Sequence, residues 1–294
     1  MRLAVTLNQI ISLLFVLCYC YQFLYIVVVL AKKPRRFRET KLCRYAVLCS
    51  ARNEEEVIAQ LVESVRNQDY PQGLLDMYVV ADNCTDLTAQ RAREAGAIVY
   101  ERFNTAQRGK GYALDFLIDK IFSSKGEEYY DGFFVFDADN LLANNYVREM
   151  NRTFTAGHKI VTSCRNAKNY GDNWISAGYG LWFLRESKFL NQARMMLRTS
   201  AIVAGTGFLV HRDILREQGG WKYHLLSEDT QFSVDQILRG RRIAYCAYAM
   251  FYDEQPTDFR QSVTQRMRWA KGYYQVLGKY GSNLVDIDGD RWFH

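Results

Sequence analysis

The longest apolar stretch of the chain runs from Ile10 to Leu30, broken only by Ser12 and Gln22. About 20 such residues suffice to cross the hydrocarbon core of a bilayer as a helix. The stretch is too long for a secretory leader, and no small-residue cleavage site follows it. Lys32, Lys33, Arg35, Arg36 and Arg38 come immediately after, an abrupt charged flank that argues against a buried core helix. Only Arg2 precedes the stretch. The bias of basic residues therefore places the N-terminus outside the cell membrane and everything after Ala31 in the cytoplasm.

From Tyr45 onward the pattern changes to short apolar runs alternating with helical periodicity. Tyr45–Cys49 reads as a buried strand. Asn53 with Glu56 three residues on matches a capping box, predicted to open a helix with Val57, Ile58, Leu61, Val62 and Val65 on one face. Strands follow at Met77–Val80, Ile98–Tyr100 and Phe133–Phe136. The intervening helices run through Leu87 to Ala95, ended by Gly96, and over Tyr112–Ile121. Such alternation implies an α/β domain with a mostly parallel sheet covered by helices, and ligands at the carboxyl ends of its strands. A further segment from Phe259 to Val276 has the spacing of an amphipathic helix. The expected division is a transmembrane helix (1–31), a basic juxtamembrane linker (32–44), the α/β catalytic domain (45–257), and an interfacial helix with a tail (258–294).

Composition narrows the class. The chain of 294 residues is 49% hydrophobic and 24% charged, too apolar for a disordered chain and too charged for a protein of many membrane spans. Its net charge of +6 could suggest nucleic acid, but the excess is gathered after the apolar run, where anionic headgroups would meet it. No nucleic-acid-binding fingerprint occurs. The 7 cysteines have no metal-type spacing; Cys49, Cys164 and Cys246 sit in apolar surroundings and read as reduced core thiols. His211 and His224 read as structural.

Candidate chemistry lies at the predicted strand tips. Asp137 and Asp139 follow a strand end, and paired hard oxygens there suit Mg²⁺ or Mn²⁺, with diphosphate oxygens and water completing the shell. A solvated acidic turn is the alternative. Asp82 can accept the imide N–H of a uracil ring, or merely cap the next helix, a task Asn83, Thr85 or Asp86 could share. Lys110, between Gly109 and Gly111 ahead of a helix, supplies charge for a diphosphate, although the surroundings lack the spacing of a P-loop. Glu228 and Asp229 open another helix, where the macrodipole alone would justify carboxylates; the functional reading makes Asp229 a general base. Gln265, Arg268 and Trp269 share one helix face, suited either to a diphosphate and a sugar ring or to lipid headgroups.

Taken in order, Ser50–Glu55, Val79–Asp86, Lys110–Asp115, Asp137-Ala138-Asp139, Gly205-Thr206-Gly207, Gly219-Gly220-Trp221, Glu228-Asp229 and Gln265-x-x-Arg268-Trp269 resemble the inverting family 2 glycosyltransferases. The resemblance is to the membrane-bound branch with cellulose, hyaluronan and poly-N-acetylglucosamine synthases, and covers roughly Tyr45 to Gly278. It implies a GT-A fold, Rossmann-like, preceded by the one transmembrane helix. It also implies Asp82 at the nucleobase, Lys110 near the diphosphate, Asp137 near the ribose and donor sugar, Asp139 on Mg²⁺ or Mn²⁺, and Asp229 as catalytic base. Arg52, Asn53 and Glu54 would contact the nucleotide. Gly205, Thr206 and Gly207 would line the acceptor site, and Glu228, Gln265, Arg268 and Trp269 would serve the leaving diphosphate and the acceptor end. One displacement at the anomeric carbon would turn an α-linked donor into a β-linked product.

Two departures stand out. Members that secrete polymer carry several helices after the Gln-x-x-Arg-Trp segment, whereas here only an Asp-rich stretch, Asp286–Asp290, precedes His294; one helix cannot line a pore. The expectations are a truncated form, a membrane partner that exports the product, or a product that stays on lipid. Ala81 stands where the family usually has a first Asp. The leading expectation is thus a transferase moving sugar from a nucleotide-diphosphate sugar, UDP-linked by preference, to a growing polysaccharide. The alternatives are single transfer to a membrane glycolipid acceptor and an inactive nucleotide-sugar-binding scaffold. No nucleic-acid partner is expected.

Overall fold

The computed structural model describes residues 2–285, so Asp286–Asp290 lie outside the described residues. The apolar segment forms α1 (Arg2–Tyr19) and α2 (Tyr21–Ala31), joined at Cys20. The helical span long and apolar enough to cross a membrane runs from Ala4 to Ala31, longer at its start than the apolar pattern implied. The segment after it is extended and lies against the domain. Arg36 is committed there: its guanidinium donates to both oxygens of the buried Glu149 carboxylate, so it is not free to meet headgroups as the charge pattern suggested.

The domain is built on β1 (Tyr45–Ala51), α3 (Ile58–Arg66), β2 (Leu75–Asp82), α4 (Thr88–Glu94), β3 (Ile98–Arg102), α5 (Lys110–Lys125) and β4 (Gly132–Phe136). Then follow β5 (Leu141–Leu142), α6 (Tyr146–Thr155), β6 (Ile160–Ala167), α7 (Trp174–Leu184), α8 (Gln192–Met196), β7 (Phe208–His211), α9 (Arg212–Gln218), α10 (Glu228–Leu238), β8 (Ile243–Asp253) and α11 (Phe259–Val285). The strands form one mixed sheet in the order β3-β2-β1-β4-β7-β6-β8-β5. β3, β2, β1 and β4 are parallel, as the alternation required. β7 runs antiparallel to both β4 and β6, a reversal the pattern of short runs did not reveal.

Side-chain alternation along β1 explains the layers. Tyr45, Val47, Cys49 and Ala51 face one buried cluster with Ile58, Leu61, Val62 and Val65 of α3 and Tyr146, Val147 and Met150 of α6. Ala46 and Leu48 face the other, with Ala113, Leu114, Leu117, Ile118 and Ile121 of α5 and Phe232 of α10. A strand covered on both faces reads as a continuous apolar run. Burying each of the larger side chains contributes about 1.5–3 kcal/mol. Cys49, Cys164 and Cys246 are free thiols in this core.

The expected capping box is not formed. α3 begins only at Ile58, and Asn53 adopts a left-handed backbone with φ of 55°. Its side-chain oxygen instead accepts from the amide of Thr85 at 2.9 Å, tying the tip of β1 to the tip of β2. Two strand-end loops that meet at a site compete for the same Asn, and the tie between loops prevails over the local cap.

Candidate active site

The carboxyl ends of β1, β2 and β4 open into a cleft of roughly 1150 Å³, closed on the other side by α7, α10 and α11. Asp82, Lys110, Asp137, Asp139, Gly205, Glu228, Asp229, Gln265, Arg268 and Trp269 all line it, together with Arg52 and Glu54. Residues spread over more than two hundred positions of sequence therefore share one concave surface.

Lys110 sits at its centre. It is the first residue of α5, and its ammonium donates to Asp137 Oδ1 at 2.5 Å and to the Gly205 carbonyl at 2.8 Å, with Glu228 Oε1 3.9 Å away. Burial lowers its affinity for the proton, but Asp137 and Glu228 raise it more, so the charge is retained. Gly205 adopts φ of +77°, the region that favours glycine. That conformation lets its carbonyl meet Lys110 while its amide supports Asp229.

Glu228 and Asp229 are the first two residues of α10. Burial pushes both carboxyls up, and in Glu228 the neighbouring Asp229 charge adds to the effect, against Lys110, to reach about 7. For Asp229 burial outweighs the backbone amides of Thr230 and Gly205 and the charge of Lys110. A desolvated carboxylate with a raised proton affinity is suited to take a proton from a hydroxyl.

Asp137 and Asp139 leave from a turn rather than from an extended strand tip: the amide of Asn140 donates to the Asp137 carbonyl at 3.2 Å. Burial, then the charges of Asp137 and Asp253, push Asp139 to about 7. Asp253, at the end of β8, is the neighbour that sequence reasoning passed over. Antiparallel pairing of Leu141 with Tyr252 runs β5 and β8 side by side and brings Asp139 and Asp253 to the same end of that pair. Asp253 Oδ2 accepts from Arg165 Nε at 2.8 Å and Gln255 Nε2 at 2.8 Å, while its buried Oδ1 has no partner among the described residues. A free hard oxygen beside a second carboxylate fits a divalent cation. Among the described residues no group of three such ligands gathers, so ligand oxygens would complete the shell.

Asp82 is buried and paired at 2.6 Å with Arg102, a partner no motif indicated. Arg102 in turn holds the Gln107 carbonyl, fixing the loop before Lys110. Asp86, not Asp82, serves the start of α4, accepting from the Thr88 amide at 3.1 Å. Three expected residues do not line the cleft. Asn53 ties loops, as described. Thr206 Oγ1 accepts the Asp137 amide at 2.9 Å, and Gly207, at φ of +67°, packs so tightly that a Cβ would lie 2.2 Å from the Phe251 ring. His211 Nδ1 accepts from the Asp213 amide at the head of α9, and His224 stacks flat on Tyr112 with ring centroids 4.1 Å apart.

Gln265, Arg268 and Trp269 come from α11, which leans on α10 where Gly272 meets Ser227. Trp269 packs edge-on against Tyr179 of α7. α7 was not foreseen as part of the site. Its apolar composition on all sides was the available signal.

Residues 43–272 match the family described as "Glycosyltransferase like family 2". The chain belongs to that family. It is 27% identical over 273 residues to "Probable glycosyltransferase YdaM" of Bacillus subtilis (strain 168), covering 85% of this chain and 60% of that protein. It is 28% identical over 258 residues to the "Beta-monoglucosyldiacylglycerol synthase" of Nostoc sp. (strain PCC 7120 / SAG 25.82 / UTEX 2576), covering 83% of this chain and 52% of that protein. The chain thus spans little more than half the length of these relatives. In fold it is similar to a mannosyltransferase of Pyrobaculum calidifontis solved with GDP-Man and Mn²⁺, at a TM-score of 0.72 and 19% identity, over 96% of this chain and 77% of that one. The GT-A fold is thereby shown.

Proposed function

We propose that this chain is the catalytic part of a membrane-anchored, inverting transferase that moves one sugar from a nucleotide-diphosphate sugar to a hydroxyl of a membrane lipid. The observation that carries the reaction type is the desolvated Asp229 carboxylate in the same cleft as Lys110 and Asp137. The lipid acceptor is favoured over a growing polysaccharide by the similarity to a protein named for glucosylating diacylglycerol. The expectation of chain elongation therefore yields to the alternative of a single transfer. Anchoring through Ala4–Ala31, with the cleft on the cytoplasmic side, rests on length, composition and the basic flank.

In this reading Asp82 and Arg52 face the nucleoside, and Lys110 and Arg268 hold the diphosphate. Asp139 and Asp253 are the side chains that would hold Mg²⁺ or Mn²⁺; the bound cation would neutralise charge on the diphosphate. Asp229 takes the proton of the acceptor hydroxyl as its oxygen forms the new bond to the anomeric carbon and the bond to the diphosphate breaks. Attack opposite the leaving group gives inversion. Lys110 and Arg268 stabilise the charge that builds on the leaving oxygen.

Product length tests the acceptor. The full chain in vesicles holding diacylglycerol, given a radiolabelled donor, is expected to yield one lipid-linked sugar by mass. A ladder of longer products would return the reading to polysaccharide extension.

A further inference from the structure

The α7 side of the cleft carries exposed apolar side chains. On α7, Trp174, Leu181 and Trp182 are 74%, 70% and 57% exposed, and Leu184 is exposed beside them. Trp174 and Trp182 also line the cleft, so large apolar side chains edge it on the α7 side. α11 repeats the pattern: Phe259, Val263, Met267, Tyr274 and Leu277 are exposed at helical spacing along its length. The two helices are contiguous. Trp174 and Phe259 have ring centroids 6.4 Å apart, and the Tyr179 hydroxyl lies 3.2 Å from Ser262 Oγ. A patch of this kind on a water-facing surface marks an interaction site.

What covers it is indicated by the N-terminal helices. The span Ala4–Ala31 has 28 residues. At 1.5 Å per residue it is about 42 Å long, beyond the roughly 30 Å hydrocarbon core. The surplus reaches the headgroup region, and its α2 end is held to the domain where α7 finishes. There Arg185 Nη2 donates to Gln22 Oε1 at 2.6 Å. Exposed Lys32 and Lys33 follow α2, and exposed Arg260, Arg266 and Lys271 flank the apolar stripe of α11. Apolar side chains edged by cations are the pattern of a surface lying on anionic lipid.

We propose that α2, α7 and α11 form one continuous strip on which the catalytic domain lies against the bilayer. The mouth of the cleft between α7 and α11 is the port for the lipid acceptor. The lipid's acyl chains stay against Leu181, Leu184, Val263 and Met267, while its polar head passes Trp174 and Trp182 toward Asp229. This rests on the lipid-acceptor reading above and adds the route by which that acceptor enters.

The test uses the full chain in phosphatidylcholine–phosphatidylglycerol vesicles holding diacylglycerol. Leu181→Glu with Leu184→Glu alters two exposed residues that do not line the cleft. The expected result is a rise of about tenfold or more in apparent KM for vesicle-borne diacylglycerol, the scale set by removing a leucine side chain from lipid. Donor binding by the same variant stays unchanged, which shows that it is folded. Dibromo-lipid quenching of tryptophan fluorescence is expected in the native chain and falls in Trp174→Phe with Trp182→Phe. Lipid transfer with unchanged KM in the double Glu variant would overturn the port while leaving the acceptor reading intact. Normal quenching without transfer to any lipid would overturn the acceptor reading while the docking surface stands. Absent quenching, with dimers that the double Glu variant abolishes, would assign the strip to a second copy of the chain.

Discussion

The ammonium of Lys110 lies 2.5 Å from Asp137 Oδ1, close enough to neutralise it before any donor arrives. The same ammonium holds the Gly205 carbonyl, so one buried cation links the donor side of the cleft to the wall beside Asp229. Removing it leaves Asp137 and Glu228 without their counter-charge. Lys110→Ala is expected to lower kcat/KM by roughly a hundredfold or more, the scale of losing one charge-stabilising group. Steady-state release of nucleotide diphosphate measures it.

The pH dependence follows from the raised carboxyls. Asp229 must be ionised to accept a proton, and burial holds its titration above the usual carboxylate range. Activity should therefore fall on acidification at a higher pH than the value near 4 of an ordinary carboxylate. Lys110→Ala removes a cation that holds the Asp229 carboxyl down, so in that variant the acid limb of the kcat/KM profile should move to higher pH.

Asp139 couples the site to stability. Its carboxyl titrates at about 7 in the folded metal-free chain, well above the unfolded value near 4. Between those values the folded form binds more protons than the unfolded one. The stability it contributes is thus full below about pH 4 and is lost as pH rises through about 7. Asp139→Asn avoids that loss. The metal-free variant should melt above the native chain at pH 8, by about 2–4 °C for each kcal/mol relieved, with the difference gone near pH 4. Mn²⁺ should raise the native melting temperature more than that of the variant, as thermal melts with and without the ion would show.

Gly272 sets how closely α11 approaches α10. A Cβ there would lie 2.0 Å from Ser227 Oγ and 3.0 Å from the Ser227 amide, so rotating the serine does not relieve the contact. Alanine in a helix interior gains up to about 1 kcal/mol over glycine, but overpacking costs about 1–3 kcal/mol. The clash should win. Gly272→Ala is expected to lower the melting temperature and, by displacing Glu228 and Asp229, to reduce kcat about tenfold or more.

The parallel half of the sheet was legible because β1, β2 and β4 are covered on both faces and so read as apolar runs bounded by turns. Asp82, Lys110, Asp137 and Asp229 were legible because strand tips and helix starts are where ligands meet backbone. Arg102, Arg165 and Asp253 were not. Each acts through a partner 20 to 88 residues away, which no local spacing encodes. Asp253 follows a strand as directly as Asp82 does, and the same strand-tip reasoning applied to β8 would have found it. Asn53 misled because its residue type satisfies both a cap and a loop tie, and only the arrangement of β1 beside β2 decides between them.

Donor turnover by the full chain in vesicles with diacylglycerol tests Asp229 as the base that activates a lipid hydroxyl. A panel of UDP- and GDP-sugars is supplied with Mg²⁺ or Mn²⁺, and an Asp229→Asn variant is run alongside. Sugar-lipid formation is expected with one donor, in step with nucleotide diphosphate release, with loss of both in the variant while donor binding persists. Sugar-lipid formation that survives in Asp229→Asn would contradict this role of Asp229, since the base would then be another group.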